Sequence, residues 1–222
     1  MADTLSPADM TLDELRPHLV AAMLSHVPFD GWTLAAAEAG ARDLGIPESR
    51  AMLVFPDGAA GMVDAYTDYA DARLDEALAA RGLHNMKIRE RVTLAVRTRL
   101  DQAAGEREAV RRAAAVFALP QNALLSARTL WRTADTMWRA CGDTATDYNH
   151  YTKRLILGGV YAATLLVWLQ DESEDFADTW SFLDRRIAGV MRFEKTKAQV
   201  LKGTDNLPSL SRFLGRLRYP AV

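Results

Sequence analysis

The chain has 222 residues, of which 49% are hydrophobic and 25% are charged, enough for one compact domain or one domain with a small appendage. A single cysteine, Cys141, excludes an internal disulfide framework and suits a reducing compartment. The net charge of −2 hides an asymmetry, because residues 1–80 carry −10 and residues 81–222 carry +8. This uneven distribution of charge along the chain restricts the choice of binding partner more than the net charge does.

No segment predicts a leader or a membrane span. The first residues, MADTLSPADMTLDELRPHL, carry early acids and lack both an apolar core and an Arg-rich, acid-poor stretch, which argues against a signal or transit peptide. The longest apolar run, residues 155–169, is too short to cross a bilayer and predicts a buried helix. We therefore expect a soluble protein.

Apolar residues recur at intervals of three and four along almost the whole chain, and no alternating β-branched run appears. Breaks fall at Gly- and Pro-containing turns. The pattern predicts an all-α fold with helices near residues 12–25, 33–44, 48–55, 59–81, 85–101, 105–118, 121–140, 145–170, 176–199 and 207–218.

The first 60 residues have the layout of a helix-turn-helix. Thr33 is placed to cap a helix rich in small residues, and Ala36, Ala37, Gly40 and Leu44 provide close contacts before a Gly-containing turn and a short second helix. This layout resembles the DNA-binding head of TetR-type regulators, whose bodies are helical bundles. One interpretation is therefore a ligand-responsive transcriptional regulator.

Charge argues against DNA binding by this head. A helix in the major groove needs Lys and Arg to neutralise phosphates. The would-be recognition helix, PESRAMLVF, offers only Arg50, with Glu48 beside it, inside a region of charge −10. We expect a TetR-like shape that does not bind nucleic acid.

The stretch MWRACGDTATDYNHYTKR, residues 137–154, concentrates residue types used in catalysis and metal binding. An enzyme using Asp143, Asp147 and His150 is one hypothesis, but the spacing does not match a helical zinc site and no second His or Cys cluster completes a shell. We instead predict that Gly142 ends one helix and that Asp143 or Thr144 caps the next. No metal and no cofactor are expected.

Two tryptophans on the preceding helix, Trp131 and Trp138, lie two turns apart on one face. We assign Trp131 to the core. Trp138 lies at the helix end beside Asp135 and Arg139, where it is either a core residue or an anchor of a protein interface.

The same stretch and the residues after it resemble the ubiquinone-biosynthesis accessory family known as Coq nine, over most of residues 15–195. The matching positions are Pro120, Asn122, Met137-Trp138, Gly142-Asp143, Thr146-Asp147, Asn149, Tyr151-Thr152, Gln170-Asp171, Asp175-Phe176, Asp178-Thr179-Trp180 and Phe182-Leu183.

The resemblance implies a TetR-like homodimer without DNA binding, which binds lipids (an isoprenoid quinone precursor or a phospholipid) and supports the demethoxyubiquinone hydroxylase. It also implies that Asp135 and Trp138 contact this hydroxylase, and we add Arg139, where the sequence departs from the family. On the apolar helix 145–170 we assign lipid binding to Leu155, Gly158, Gly159, Tyr161 and Trp168, a central core or dimer helix being the alternative. The acidic run 171–178 is expected to favour the dipole of the next helix rather than to bind a metal.

The C-terminal segment predicts an amphipathic helix after a polar linker, with a net charge of +4 over residues 194–222. Such a helix can lie in an anionic membrane surface, although packing against the body is the alternative. The resemblance also implies a membrane-engaging C-terminal helix. The predicted membrane-binding residues are Leu207, Leu210, Phe213, Leu214, Leu217, Arg212, Arg216 and Arg218.

These expectations divide the chain into a degenerate helix-turn-helix head at residues 1–58, a lipid-binding and dimerisation body at 59–199, and a linker with a membrane helix at 200–222. We expect no enzymatic activity, since neither a triad nor a phosphate loop nor a complete metal shell is evident in the sequence. The predicted location is the bacterial cytoplasm, peripheral on the inner membrane.

Overall fold

The computed structural model describes residues 6–143 and 148–204, and of residues 148, 149 and 193–204 it describes the backbone alone. Ten α-helices and no strand occur in these ranges, which confirms the all-α prediction. The helices are α1 (Leu12–Met23), α2 (Val27–Asp30), α3 (Leu34–Asp43), α4 (Ser49–Val54), α5 (Gly58–Arg81), α6 (Ile88–Gln102), α7 (Arg107–Phe117), α8 (Ala123–Ala140), α9 (Tyr148–Trp168) and α10 (Ala177–Thr204).

Most helix ends lie within about three residues of their predicted positions. Two helices differ more: α2 is a single turn formed where the sequence predicted only a break, and α10 ends at Thr204, five residues beyond the predicted 199. The predicted C-terminal helix 207–218, with all eight predicted membrane-binding residues, lies outside the described residues. In the part that is described, no helix is both long and apolar enough to cross a bilayer.

Helices α3 and α4 form the predicted helix-turn-helix. The hydroxyl of Thr33 accepts a hydrogen bond from the backbone N–H of Ala36, so this residue caps α3 as expected. A Cβ on Gly40 would lie 2.9 Å from the backbone nitrogen of Met23, so only glycine lets α3 approach α1 this closely. Ala36 and Ala37 of α3 are also fully buried, whereas Leu44 is half-buried.

The helix-turn-helix packs on the following helices through Trp32. Its indole nitrogen donates to the carbonyl of Ala109 in α7 at 3.0 Å, and its ring centroid lies 5.2 Å from that of Tyr66 in α5. A guanidinium nitrogen of Arg112 in α7 also donates to the carbonyl of Pro28 at 2.9 Å. These contacts hold the head against the bundle.

The bundle is organised around α5, which contacts α1, α6, α7 and α8, while α8 also contacts α9. The chain divides into two compact units, Met1–Leu183 and Asp184–Val222, so the head and the bundle belong to one unit. The division at residues 58 and 199 stays a prediction. Within the first unit, the helices from α5 to α9 enclose a cavity.

Candidate functional site

The cavity has a volume of about 280 Å³ and receives side chains from five helices, α5 to α9. Its lining residues are Val63, Tyr66, Thr67, Arg99, Leu100, Ala103, Val110, Ala113, Ala114, Phe117, Ala118, Ser126, Thr129, Leu130, Thr133, Tyr161, Ala162, Leu165 and Leu166. Most of them are apolar, as is usual for a pocket that binds a small organic molecule.

Polar groups are concentrated among the buried lining residues. We define the inner end by five of these residues, each less than 9% exposed: Tyr66, Arg99, Thr129, Thr133 and Tyr161. The more exposed lining residues are mostly apolar, although Thr67 and Ser126 are half-buried polar exceptions. We define the rim by Phe117, Ala118 and Leu166, and the Leu166 side chain is 59% exposed. Five of the seven polar lining residues are therefore buried, beside buried apolar lining residues such as Val63, Leu100 and Ala113.

The charge at the inner end is a buried ion pair. Arg99 of α6 donates through Nε to Oδ1 of Asp71 in α5 at 3.1 Å, and the hydroxyl of Thr133 in α8 donates to Oδ2 of the same carboxylate at 2.7 Å. Arg99 is 4% exposed and Asp71 is 5% exposed. The pair is close to neutral overall, which offsets much of the cost of burying either charge.

Two tyrosines complete the inner end. The hydroxyl of Tyr66 donates to Oε2 of Glu106 at 2.9 Å, and Arg73 binds the other oxygen of that carboxylate at 2.8 Å. The hydroxyl of Tyr161 has no hydrogen-bond partner among the described residues. Burial raises the pKa of Tyr161, so its hydroxyl stays neutral and able to donate.

A second region lies where α8 ends and α9 begins. The indole nitrogen of Trp138 donates to the carbonyl of Lys153 at 2.9 Å, and Nζ of Lys153 lies 5.4 Å from the centre of the same ring. Trp138 is half-buried and Arg139 is exposed. We define the Trp138 surface as Asp135, Trp138, Arg139 and Lys153.

Arg154 is a buried residue next to this surface and binds two aspartates. It is 2% exposed and donates through Nε to Asp135 at 2.5 Å and through Nη1 to Asp143 at 3.0 Å. Arg139 binds the second oxygen of Asp135, and Lys153 binds the second oxygen of Asp143 at 2.5 Å. Burial opposes ionisation of both aspartates, but the hydrogen bonds from these cations outweigh it and lower the pKa of each.

Two acid-base residues of the 137–154 stretch, Asp143 and Cys141, have surroundings that the structure describes. Asp143 accepts hydrogen bonds from Lys153 and Arg154, and its predicted role as a cap stays a prediction, because residues 144–147 lie outside the described residues. Burial raises the pKa of the Cys141 thiol to about 11, which leaves it protonated and a poor ligand or nucleophile. No group of three metal-binding side chains occurs among the described residues. Asp147 and Thr144 lie outside these residues.

The structural comparison places the bundle among known folds. A TetR transcriptional regulator from Nitrosomonas europaea superposes with a TM-score of 0.62 over 79% of this chain and 97% of that protein, with 21% identity. At that identity the similarity concerns the fold alone, and it confirms the TetR-like architecture.

Sequence comparison identifies the family. The COQ9 family model matches residues 123–194, the segment that contains both α8 and α9. The proteins named "Ubiquinone biosynthesis protein COQ9, mitochondrial" from Rattus norvegicus and Homo sapiens are 35% and 33% identical over 195 residues, which is 85% of this chain. The chain belongs to the COQ9 family. It spans 62% and 61% of the length of those two relatives.

The COQ9 motif residues after α9 form the junction with α10. The carboxylate of Asp171 accepts hydrogen bonds from the backbone N–H and the hydroxyl of Ser173 and of Thr179, at 2.5–2.8 Å. Trp180 donates to the carbonyl of Asp175 at 2.8 Å, and the guanidinium of Arg97 lies 4.7 Å from the centre of its ring. This acidic segment is therefore a hydrogen-bonded turn.

The structure distributes the five predicted lipid-binding residues of α9 over different environments. Tyr161 lines the cavity, while Gly158 packs against Leu130 and Ala134 of α8. The other three are not among the lining residues: Leu155 is 67% exposed, Gly159 faces open space, and Trp168 is fully buried with its ring 5.7 Å from that of Phe176. Their role in lipid binding stays a prediction.

The two tryptophans of α8 are both half-buried, and the fully buried positions of this helix end are Ala134 and Met137. The assignment of Trp131 to the core was therefore wrong. Its ring packs against those of His150 and Tyr151 at 6.2 and 5.9 Å, because it lies beside the first turn of α9.

Sequence reasoning missed the charged residues at the inner end of the cavity. Arg99 lies three and seven residues after Val96 and Val92, and Asp71 follows the buried Ala70 and precedes Leu74 by three. Both therefore occupy positions on the buried faces of their helices. A charged residue at such a position is the signal that could have identified them.

Proposed function

We propose that the protein is a non-enzymatic accessory factor of ubiquinone biosynthesis. It binds an isoprenoid quinone intermediate and presents it to the demethoxyubiquinone hydroxylase at a membrane surface. The proposal is carried by one observation, a mostly apolar cavity inside a bundle whose α8 and α9 match the COQ9 family model. The names of the relatives support the pathway.

The side chains present suit binding better than catalysis. Next to the cavity, the carboxylates of Asp71 and Glu106 are held by arginines, and the thiol of Cys141, which is not a lining residue, is protonated. A presenting protein needs an apolar enclosure, a few polar groups for orientation and a surface for its partner. The cavity and the Trp138 surface offer these features.

Regulation of transcription is the second candidate, favoured by the TetR-like fold. The geometry of α4 supports the first proposal instead. The guanidinium of Arg50 donates to the backbone carbonyls of Pro7, Ala8 and Met10 at 3.2, 2.8 and 2.6 Å. The one cation of α4 is thus engaged inside the protein, and Met52 and Leu53 beside it are exposed and apolar. Such a helix lacks the cations that hold a recognition helix on phosphates.

Native mass spectrometry with lipid extraction tests the ligand. We expect protein purified from its own kind of cell to carry an isoprenoid quinone or precursor, which is lost on delipidation and restored when the lipid is added back. The apolar lining of the cavity is the physical reason, since a lipid removes this surface from water. An empty protein that takes up no quinone precursor from supplied membranes would contradict the proposal.

A binding assay with the hydroxylase tests the Trp138 surface. Replacing a half-exposed tryptophan at the centre of an interface costs about 2 kcal/mol or more, so we expect Trp138→Ala to weaken binding about 30-fold. Trp131→Ala on the same helix is the matched control and should leave the affinity unchanged. Equal affinities of wild type and Trp138→Ala would remove this surface from the proposal.

A further inference from the structure

The inner end of the cavity has hydrogen-bonding groups that the protein itself does not use. Nε of Arg99 donates to Asp71, but the two terminal amino groups of Arg99 have no hydrogen-bond partner in the part of the chain that the structure describes. The hydroxyl of Tyr161 likewise has no hydrogen-bond partner among the described residues. Both side chains are more than nine-tenths buried and line the cavity. Their donor atoms are not among the buried atoms that lack a partner, so they are open to the cavity and available to an acceptor that enters it.

The other polar groups at the inner end are satisfied within the protein. Thr129 donates to Asp64 at 2.7 Å, Thr133 donates to Asp71, and Tyr66 donates to Glu106. At the inner end, the donors that remain for a ligand are therefore the amino groups of Arg99 and the hydroxyl of Tyr161. They require a ligand with at least one oxygen acceptor at its buried end.

Charge restricts the class of acceptor. Among the described residues that line the cavity, Arg99 alone is charged, and Asp71 already balances it. A phosphate would bring up to two further negative charges into this buried place without a matching cation, which is strongly unfavourable. A carbonyl or a neutral hydroxyl accepts from the same donors and adds no charge.

Size restricts the ligand further. A cavity of about 150 Å³ holds one benzene molecule. The volume of about 280 Å³ found here suits one substituted ring with a short branch, and it is too small for a long polyisoprenoid tail. A tail that begins in the cavity must leave it past the apolar rim, where Phe117, Ala118 and Leu166 lie.

We infer that the ligand lies in the cavity with its ring innermost. A neutral ring with carbonyl or hydroxyl oxygens accepts hydrogen bonds from Arg99 and Tyr161 at the inner end, and the isoprenoid tail leaves across the rim. This inference rests on the proposed function and names the part of the lipid that the body encloses. Handing the ligand to an enzyme then requires the ring to leave the cavity.

Calorimetric titration of the full chain tests the inference with two short ligands. One is a 1,4-benzoquinone carrying a single prenyl group, and the other is prenylbenzene, which has nearly the same size and no oxygen. We expect the wild-type protein to bind the quinone about tenfold more tightly, the equivalent of about one hydrogen bond to a charged donor. Equal affinities would overturn the inference.

Tyr161→Phe is the first variant, because it removes one unpartnered hydroxyl and keeps the ring in place. We expect quinone binding to weaken about fivefold, prenylbenzene binding to stay the same, and the melting temperature to stay within a few degrees. Tyr69→Phe, one turn from Tyr66 on α5 and outside the lining, is the matched control and should bind both ligands as the wild type does. An unchanged quinone affinity in Tyr161→Phe would overturn the role of this hydroxyl.

A double variant, Arg99→Met with Asp71→Leu, removes the ion pair without leaving an unpaired buried charge. We expect its preference for the quinone over prenylbenzene to fall below about twofold. Tighter binding of prenyl phosphate than of the quinone by the wild type would overturn the charge argument. Uptake of a full-length isoprenoid intermediate without any binding of the short quinone would overturn ring-first binding and leave the proposed function standing.

Discussion

Arg154 is the residue that holds the Trp138 surface together. It is almost completely buried and separates two carboxylates, those of Asp135 and Asp143, which would otherwise repel each other. Each aspartate has a second cation, but these partners are more exposed: the side chain of Arg139 is 74% exposed and that of Lys153 is 38% exposed. Arg154, the buried cation, therefore contributes most of the stabilisation that these ion pairs provide.

We predict that Arg154→Met lowers the free energy of unfolding by about 3–5 kcal/mol, because it leaves two largely buried carboxylates without their shared partner. Arg139→Met removes an exposed partner of Asp135 and should cost no more than about 1 kcal/mol. Urea denaturation followed by circular dichroism measures both. Losses of equal size would show that Arg154 has no special role.

The hydrogen bonds that Asp135 accepts limit what this residue can contribute to a docking surface. Both of its oxygens accept hydrogen bonds inside the protein, from Arg139 and Arg154. Its effect on a partner would therefore act through the position of Arg139, whose side chain is the exposed one. Trp138 differs, because its indole nitrogen is satisfied while part of its ring remains accessible.

Among the secondary-structure elements, the junction between α9 and α10 depends on a single carboxylate. Asp171 is 6% exposed and accepts four hydrogen bonds from Ser173 and Thr179, which connects the end of one helix to the first turn of the next. Burial opposes its ionisation, but these hydrogen bonds outweigh that effect and lower the pKa to about 2. Arg107 reinforces the junction by donating to the carbonyls of Trp168 and Asp171 at 2.7 and 2.5 Å.

The pKa of Asp171 predicts a pH effect on stability. An aspartate has a pKa of about 3.9 in the unfolded chain, so the lowered folded value stabilises the protein above about pH 4 and this contribution is lost as the pH falls towards 2. Asp171→Asn should therefore be less stable than the wild type by about 2 kcal/mol at pH 7, and the difference should vanish near pH 2.

Thermal unfolding of the two proteins from pH 7 to pH 2 measures this difference. Asp178→Asn, an exposed residue in the first turn of α10, is the control and should follow the wild type within about 0.5 kcal/mol. A difference between Asp171→Asn and wild type that stays constant over the whole pH range would contradict the assignment.

On the scale of the whole molecule, helix α9 has an exposed apolar face. Tyr151 and Leu155 are four residues apart, 59% and 67% exposed, and Gly159 lies one turn further with open space in front of it. Apolar residues at this spacing form one stripe on a helix. A glycine in the stripe allows close approach of a second helix, and we propose that this stripe is the contact of the homodimer that the family resemblance implies.

We predict that the wild-type protein is a dimer and that Leu155→Asp makes it a monomer, because a charge at the centre of an apolar interface must be desolvated without a partner. Sedimentation equilibrium between about 1 and 100 μM measures the change. Met52→Asp is the control, since Met52 is exposed to a similar extent, 58%, but lies on α4 in the head. A wild-type protein that is monomeric throughout this range would contradict the proposal.

The order of the helices, their approximate ends and the family could be predicted from the sequence, because these depend on signals that lie close together along the chain. Thr33 and Gly142 are examples, since a cap and a helix-ending glycine act within a few residues. The run of COQ9 motif residues is likewise contiguous.

The polar end of the cavity was decided by the tertiary structure. Asp71, Arg99, Thr133 and Tyr161 come from four helices and are separated by 28 to 34 residues from one to the next. Periodicity states which face of each helix is buried, but not which faces meet, because that depends on the packing of the whole bundle. For the same reason Trp131 and Trp138, placed on one face by their spacing, make different contacts: one packs beside the first turn of α9, and the other stands over Lys153.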